Sequence, residues 1–276
     1  MTPFRLSAPL DGWSPVLLAS AHSGTFIPAS ARRRLKVPDR AVRRLEDPLV
    51  GRLLERAARH APLIEATHAR AVIDLNRAEC DFDAAAVAGG PRAASSDRGR
   101  AGFGLFPRIV GPGEPLLAGP WPRAEAEARI ARLHRPWHAA LAAGLAAARA
   151  RHGVALLLDV HSMPPLGPGG PEVVLGDRHG TSADPMIVAR VDALFRAAGF
   201  KVARNHPYAG GHALERHGRP KAKVHAVQVE LCRALYLDLE RLVPNAAFAA
   251  LAEALDGIVA ALVGELGGGL ALAAAE

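Results

Sequence analysis

Short apolar runs that end in polar residues recur along this chain. Pro15 to Ala21 leads into His22-Ser23-Gly24, and Ala71 to Leu75 leads into Asn76-Arg77. Val154 to Val160, with Asp159 inside it, leads into His161-Ser162, and Val227-Gln228-Val229 leads into Glu230. Such runs, bounded by turn-forming residues, read as strands covered on both faces. The pattern predicts strands near 15–21, 70–75, 154–160, 172–175, 200–204 and 225–231. Apolar residues at helical spacing predict helices over 39–60, 123–151, 183–198 and 244–265. In the first helix Asp39 is placed to cap, while Val42, Leu45, Leu49, Val50, Leu53 and Leu54 repeat along one side. Pro48 is expected to break or kink it, and Pro136 to kink or divide the second. Residues 87–120 read as an irregular but ordered loop, suited to covering a site. Residues 205–223 read as a polar loop.

Strands alternating with helices imply an α/β fold: a three-layer α/β/α sandwich around a mixed, mostly parallel sheet. The chain, 1–276, is read as a single domain, with a tail after about 267 that frays.

Open α/β sheets bind ligands beyond the carboxyl ends of their strands. Two histidines, an Asn-Arg pair and a glutamate at such positions therefore suggest one converging site, where a metal-activated water attacks an anionic substrate. His22 and His161 are candidate metal ligands. Asp159, two residues before His161, is placed to orient its ring, and Ser23 and Ser162 to donate hydrogen bonds. A catalytic zinc takes three protein ligands, and spacing leaves both Glu46 and Asp47 open as the third. Glu230 suits a general base, because burial beside a metal can bring its pKa toward neutrality. Its plainer role is an ion pair, with Arg233 nearest in sequence. Arg77, with Asn76, suits a carboxylate clamp, since the guanidinium fork matches a carboxylate. The loop from Asn205 to His212 is dense in donors, and His206 and His212 are candidate substrate contacts. His134 and His138 stand four apart but lack the glutamate of a zinc-protease helix and enclose Pro136, so they read as structural. No G-x-S-x-G elbow surrounds the serines.

Composition narrows the classes. The net charge is +7, and all 34 basic residues except Lys36, Lys201, Lys221 and Lys223 are arginine. These arginines are spread along the chain, and with 5% aromatic residues the stacking surfaces for bases are scarce, so no nucleic-acid partner is expected. No stretch is apolar enough to span a membrane, and no basic and apolar leader opens the chain, so no membrane association and no signal peptide are expected. Cys80 and Cys232 form no disulfide framework, which fits a cytoplasmic protein.

Taken in order, these segments resemble the N-formylglutamate amidohydrolase family. The resemblance rests on Ala21-His22-Ser23-Gly24 with Ile27-Pro28, Asp47 with Val50, Val72 to Arg77, Gly104-Leu105-Phe106-Pro107 and Pro136-Trp137-His138. It continues through Leu158 to Met163, Leu175 to Gly180, Tyr208 to His212, and Val224 to Leu231. It implies a phosphorylase/hydrolase-like fold, related to zinc carboxypeptidases, and hydrolysis of N-formyl-L-glutamate or another small N-acyl amino acid. It selects Asp47 over Glu46, and implies His22, Asp47 and His161 as ligands of one divalent metal, zinc first among them. It further implies Asn76 and Arg77 as carboxylate binders and Glu230 as base.

Overall fold

The computed structural model describes residues 2–268. Its strands are β1 (Phe4–Leu6), β2 (Val16–Ser20), β3 (Leu63–Ala66), β4 (Ile109–Gly111), β5 (Glu114–Pro115), β6 (Ala155–Met163), β7 (Val173–Gly176), β8 (Val202–Arg204), β9 (Val224–Cys232), β10 (Leu237–Asp238) and β11 (Val243–Pro244). Its helices are α1 (Ala29–Arg32), α2 (Asp39–Val42), α3 (Val50–Leu54), α4 (Arg123–Arg129), α5 (Arg135–His152), α6 (Pro185–Ala197), α7 (His212–His217) and α8 (Phe248–Gly267). Seven strands make one sheet in the order β1-β3-β2-β6-β9-β7-β8. β6 runs parallel to β2 and β9, while β7 is antiparallel to β9 and parallel to β8. The sheet is mixed and mostly parallel, as the alternation of elements predicts. Residues 269–276, where fraying is expected, lie outside the described residues. Among the described residues no helix is long and apolar enough to cross a membrane.

The chain gathers into two compact units. Among the described residues, the first comprises 2–5, Ala21–Pro48 and Glu65–Ala139, and the second Leu6–Ser20, Leu49–Ile64 and 140–268. The second unit holds β2, β6, β7, β8 and β9. Alternate residues of these strands (Val16, Leu18, Leu156, Leu158, Val160, Val227, Val229 and Leu231) pack with α3, α6 and α8 in one apolar core. On the other face of the sheet lies the part of α5 in this unit. There Leu141, Leu145 and Ala148, at helical spacing, are buried, and Gly144 sits so close that a Cβ would lie 3.3 Å from Leu17. Covering both faces is what allows the strands to be apolar throughout.

The first unit is built mostly from turns. Its irregular stretch is stitched to the backbone around it: Leu105 N–H donates to Asp81 O at 2.7 Å, and Asp74 N–H to Leu105 O at 2.8 Å. Trp121 is fully buried, with the Arg129 guanidinium 3.7 Å from its ring centroid. Residues 87–120 are therefore ordered, as expected, with only the short β4–β5 hairpin and a π-helical turn at Gly99–Phe103 as regular elements.

Several local expectations are corrected. Residues 70–75 form no strand. Val72 N–H bonds back to Ala69 O at 2.8 Å and Arg77 N–H to Asp74 O at 3.2 Å, so the apolar run is a buried turn. The strand preceding it is β3, in a segment whose Glu65 hides the apolar signal. The helix expected over 39–60 is broken into α2, α3 and two 3-10 turns. Glu46, Asp47 and Pro48 are not helical, because Pro48 has no N–H for the ladder and Asp47 N–H is engaged by His22 O at 2.9 Å. Asp39 opens α2 without capping it, and its carboxylate pairs with Arg32 at 2.6 Å instead. The helix of 123–151 continues through Pro136 by way of a π-helical turn, Ile130–His134. The polar loop 205–223 contains α7, which sequence reading misses because six residues give too little periodicity.

Candidate active site

In the first unit the acidic pair divides. Glu46 lies by Arg43, 3.7 Å away, and Asp47 faces His22, with Nδ1 and Oδ2 3.3 Å apart. The broken helix makes this possible, since its unwound link carries Asp47 back to the loop that leaves β2. The other His22 ring nitrogen, Nε2, is 2.7 Å from Oδ1 of Asp74. Asp74 is fully buried and also accepts from Arg70 Nε at 2.7 Å and from the Asn76 N–H at 2.9 Å. Burial alone would push its carboxyl up. The Arg70 guanidinium, the His22 ring and Arg77 override that and hold it well below the usual carboxylate range.

An ionised Asp74 can only accept, so the His22 proton sits on Nε2. A neutral ring then turns the Nδ1 lone pair toward an acceptor oxygen of Asp47. Two facing acceptors call for a cation, or a second ring proton, between them. A buried histidine and aspartate so arranged, with a carboxylate behind the ring, fit a divalent metal.

Arg77 follows in the same turn, Nε 3.6 Å from Asp74 Oδ2. Burial lowers the pKa of its guanidinium, Asp74 supports the charge, and Arg70 and Arg98 oppose it. Asp81 also supports the charge, and a guanidinium kept charged here suits an anionic group.

In the second unit β6 and β9 place His161 beside Glu230, and Asp159 beside Gln228, as register partners. These residues alternate with those of the apolar core, so all four side chains share the opposite face of the sheet. His161 Nε2 lies 3.0 Å from Asp159 Oδ2, the orienting contact expected from their spacing. Its Nε2 is thus tied to a carboxylate, as in His22. Gln228 donates to Glu230 Oε1 at 2.8 Å and accepts from Gly211 N–H at 2.9 Å. The carboxylate is thereby fixed through a neutral amide, and Arg233 donates to Ser162 Oγ at 3.0 Å. His206 is exposed, and His212, at the start of α7, lies 3.3 Å from Glu215. Asn205 and Asp177 bond reciprocally, with Nδ2 donating to Oδ1 at 2.7 Å and Asp177 N–H to Asn205 Oδ1 at 3.0 Å, which ties the polar loop to the turn after β7.

The model of the N-formylglutamate amidohydrolase family matches residues 14–237. The chain belongs to the N-formylglutamate amidohydrolase family. It is 33% identical over 264 residues to the N-formylglutamate deformylase of Pseudomonas aeruginosa, covering 92% of this chain and 93% of that protein. It is 34% identical over 186 residues to the N-formylglutamate deformylase of Pseudomonas putida, covering 64% and 65%. Among solved structures, the N-formylglutamate amidohydrolase of Ralstonia eutropha JMP134 superposes with a TM-score of 0.87 at 32% identity, covering 96% of this chain and 99% of that one. The α/β fold is that of this amidohydrolase family.

Two residues of this amidohydrolase escape sequence reasoning. Asp74 is a charge inside an apolar run, and such a charge needs partners, which is the signal that marks it. Gln228, an uncharged amide inside an apolar run, needs partners in the same way. His217, on α7, is buried. Burial first, then Arg216 and His212, push its pKa down to about 4, with Asp159 opposing. His225 has a structural role, in which its Nδ1 accepts from Asp184 N–H at 3.1 Å.

The His217 shift has a stability consequence. Its pKa is 6.5 when unperturbed and about 4 in the fold. As pH falls from about 6.5 to about 4 the unfolded chain takes up this proton first, so folding loses about 3 kcal/mol over that window. Denaturant midpoints at pH 7 and pH 4.5 check this, with His217→Gln losing correspondingly less than the parent.

Proposed function

We propose that this chain is a metal-dependent amide hydrolase that cleaves N-formyl-L-glutamate to formate and L-glutamate. The observation that carries the reading is the paired carboxylate–histidine arrangement. Asp74 behind His22 and Asp159 behind His161 each engage Nε2, which would turn Nδ1 toward a metal, with Asp47 beside the first. Family membership, and relatives named N-formylglutamate deformylases, support the substrate.

His22, Asp47 and His161 would hold one divalent ion, with zinc our assignment from the His/Asp donor set. When bound, the metal supplies Lewis-acid chemistry, polarising the formyl carbonyl and easing deprotonation of a water. Glu230 accepts that proton at a carboxylate oxygen and delivers it to the amide nitrogen as the C–N bond breaks. Arg77, with Asn76, holds a carboxylate of the substrate and orients the scissile bond, and His206 and His212 are further substrate contacts. We read both units as one metallohydrolase domain, since the backbone passes repeatedly between them. Two free thiols, Cys80 exposed and Cys232 buried, are consistent with a cytoplasmic protein.

The test is metal content measured together with formate release. Protein as purified should carry about one equivalent of metal, as three ligands with an open position require. Chelation should abolish formate release from N-formyl-L-glutamate, and added zinc should restore it. Full activity in metal-free protein would overturn the mechanism, and metal-loaded protein releasing no formate would overturn the substrate.

A further inference from the structure

The helical histidines His134 and His138, read from sequence as structural, touch the clamp. Both side chains are fully buried. His134 Nε2 lies 2.7 Å from the carbonyl oxygen of Arg77, and His138 Nε2 lies 3.0 Å from that of Leu75. A carbonyl only accepts, so each ring donates from Nε2. The two rings lie 4.4 Å apart, inclined at 53°. Glu79, held by Arg135 at 3.0 Å, lies 3.6 Å from Nδ1 of His134.

These contacts complete a pattern. On the N–H side of the turn, Asp74 receives Asn76 N–H through its carboxylate and Arg77 N–H through its carbonyl. On the C=O side, the two histidines grip the carbonyl of Leu75, just before the dipeptide, and that of Arg77, at its end. Both faces of the Asn76–Arg77 dipeptide are thus held by buried side chains, outside any strand or helix that would hold them otherwise. The helix that carries the histidines contains the π-helical turn Ile130–His134, which ends one residue short of Pro136. A π-helical turn offsets the helical residues beyond it, and such turns collect at functional sites. Here it falls where the ring of His134 must reach a carbonyl.

We propose that His134 and His138 are positioning residues that set the Asn76–Arg77 clamp for the substrate carboxylate. The proposal rests on the reading of Arg77 as that clamp. A carboxylate held alike in the ground state and the transition state contributes to KM rather than kcat, so loosening the clamp raises KM.

The experiment uses His134→Leu, His134→Gln, His138→Leu and His138→Gln, each alone and combined with Arg77→Ala. Each Leu variant leaves a buried carbonyl without its donor and is expected to raise KM for N-formyl-L-glutamate about tenfold. It should leave kcat and metal content near the parent values. Each Gln variant, whose Nε2 donates from nearly the same place, should restore most of the loss. In the Arg77→Ala background the Leu substitutions should no longer change KM, whereas a general loosening of the fold would act equally in both backgrounds. An unchanged KM in folded Leu variants, or a KM effect that persists without Arg77, overturns the proposal.

A measurement that spares the histidines covers variants that do not fold. The ring Nε2 resonances of His134 and His138 should shift when glutarate binds the parent and not when it is added to Arg77→Ala. Identical spectra with and without glutarate bound would overturn the proposal. Parent formate release is the separate check on the enzyme reading. If that fails, glutarate affinity by calorimetry across the same variants still decides the positioning role.

Discussion

Replacing Glu230 with Gln is expected to lower kcat for N-formyl-L-glutamate by about a thousandfold, within the range contributed by a general base. Metal content should not change. The substitution keeps the size of the side chain and an oxygen that can accept the Gln228 amide, now 2.8 Å from Oε1. What it removes is the capacity to take a proton. Glu230 also stands in the interior of β9, beside His161 of β6, so its backbone has no freedom to bring a substitute group into place. Formate release and metal analysis on the same preparation check this. A fully metal-loaded variant that turns over at the parent rate would remove Glu230 from the reaction.

The second large effect is expected at Asp74. Asp74→Asn should destabilise the fold by about 3 kcal/mol, because a buried ion pair that loses one partner leaves the other charge uncompensated. Here the stranded charge is Arg70, whose Nε lies 2.7 Å from the carboxylate, with Arg77 close behind. The same change should weaken metal binding by roughly 10- to 100-fold, since the carboxylate behind His22 fixes which ring nitrogen carries the proton. Chemical denaturation and competitive metal titration measure the two effects separately. A variant matching the parent in both would mean that Asp74 neither balances the arginines nor orients His22.

How far the sequence was legible differs from residue to residue. Asp159 and His161, and likewise Gln228 and Glu230, stand two apart in extended runs, and a period of two puts each pair on one face. The spacing alone was therefore enough to foresee the contact between Asp159 and His161. Asn76 and Arg77 were singled out for a reason that fails: the run before them is apolar because it is buried, yet it forms a turn. Apolarity reports burial, and extension needs partners that the local sequence does not name. The choice between Glu46 and Asp47 was beyond spacing for a similar reason. It depends on Pro48 unwinding the helix and on the His22 carbonyl taking the Asp47 N–H, a contact between residues 25 apart. His134 and His138 read as ordinary helix residues, because nothing near them in sequence shows that the carbonyls of Leu75 and Arg77 lie against their rings.

The sequence by itself determined the alternation of strands and helices, the mixed sheet, and polar residues placed on or just after its strands at His22, His161 and Glu230, because these follow from local periodicity and burial. The ordered run of motifs was also enough to point to the family. Tertiary structure alone decided which nitrogen of each histidine meets a carboxylate, that Asp74 gathers His22, Arg70 and the Asn76–Arg77 turn, and that two buried histidines hold that turn from its other side. Those are contacts between segments distant in the chain. They are set by where the backbone returns, which no window along the sequence contains.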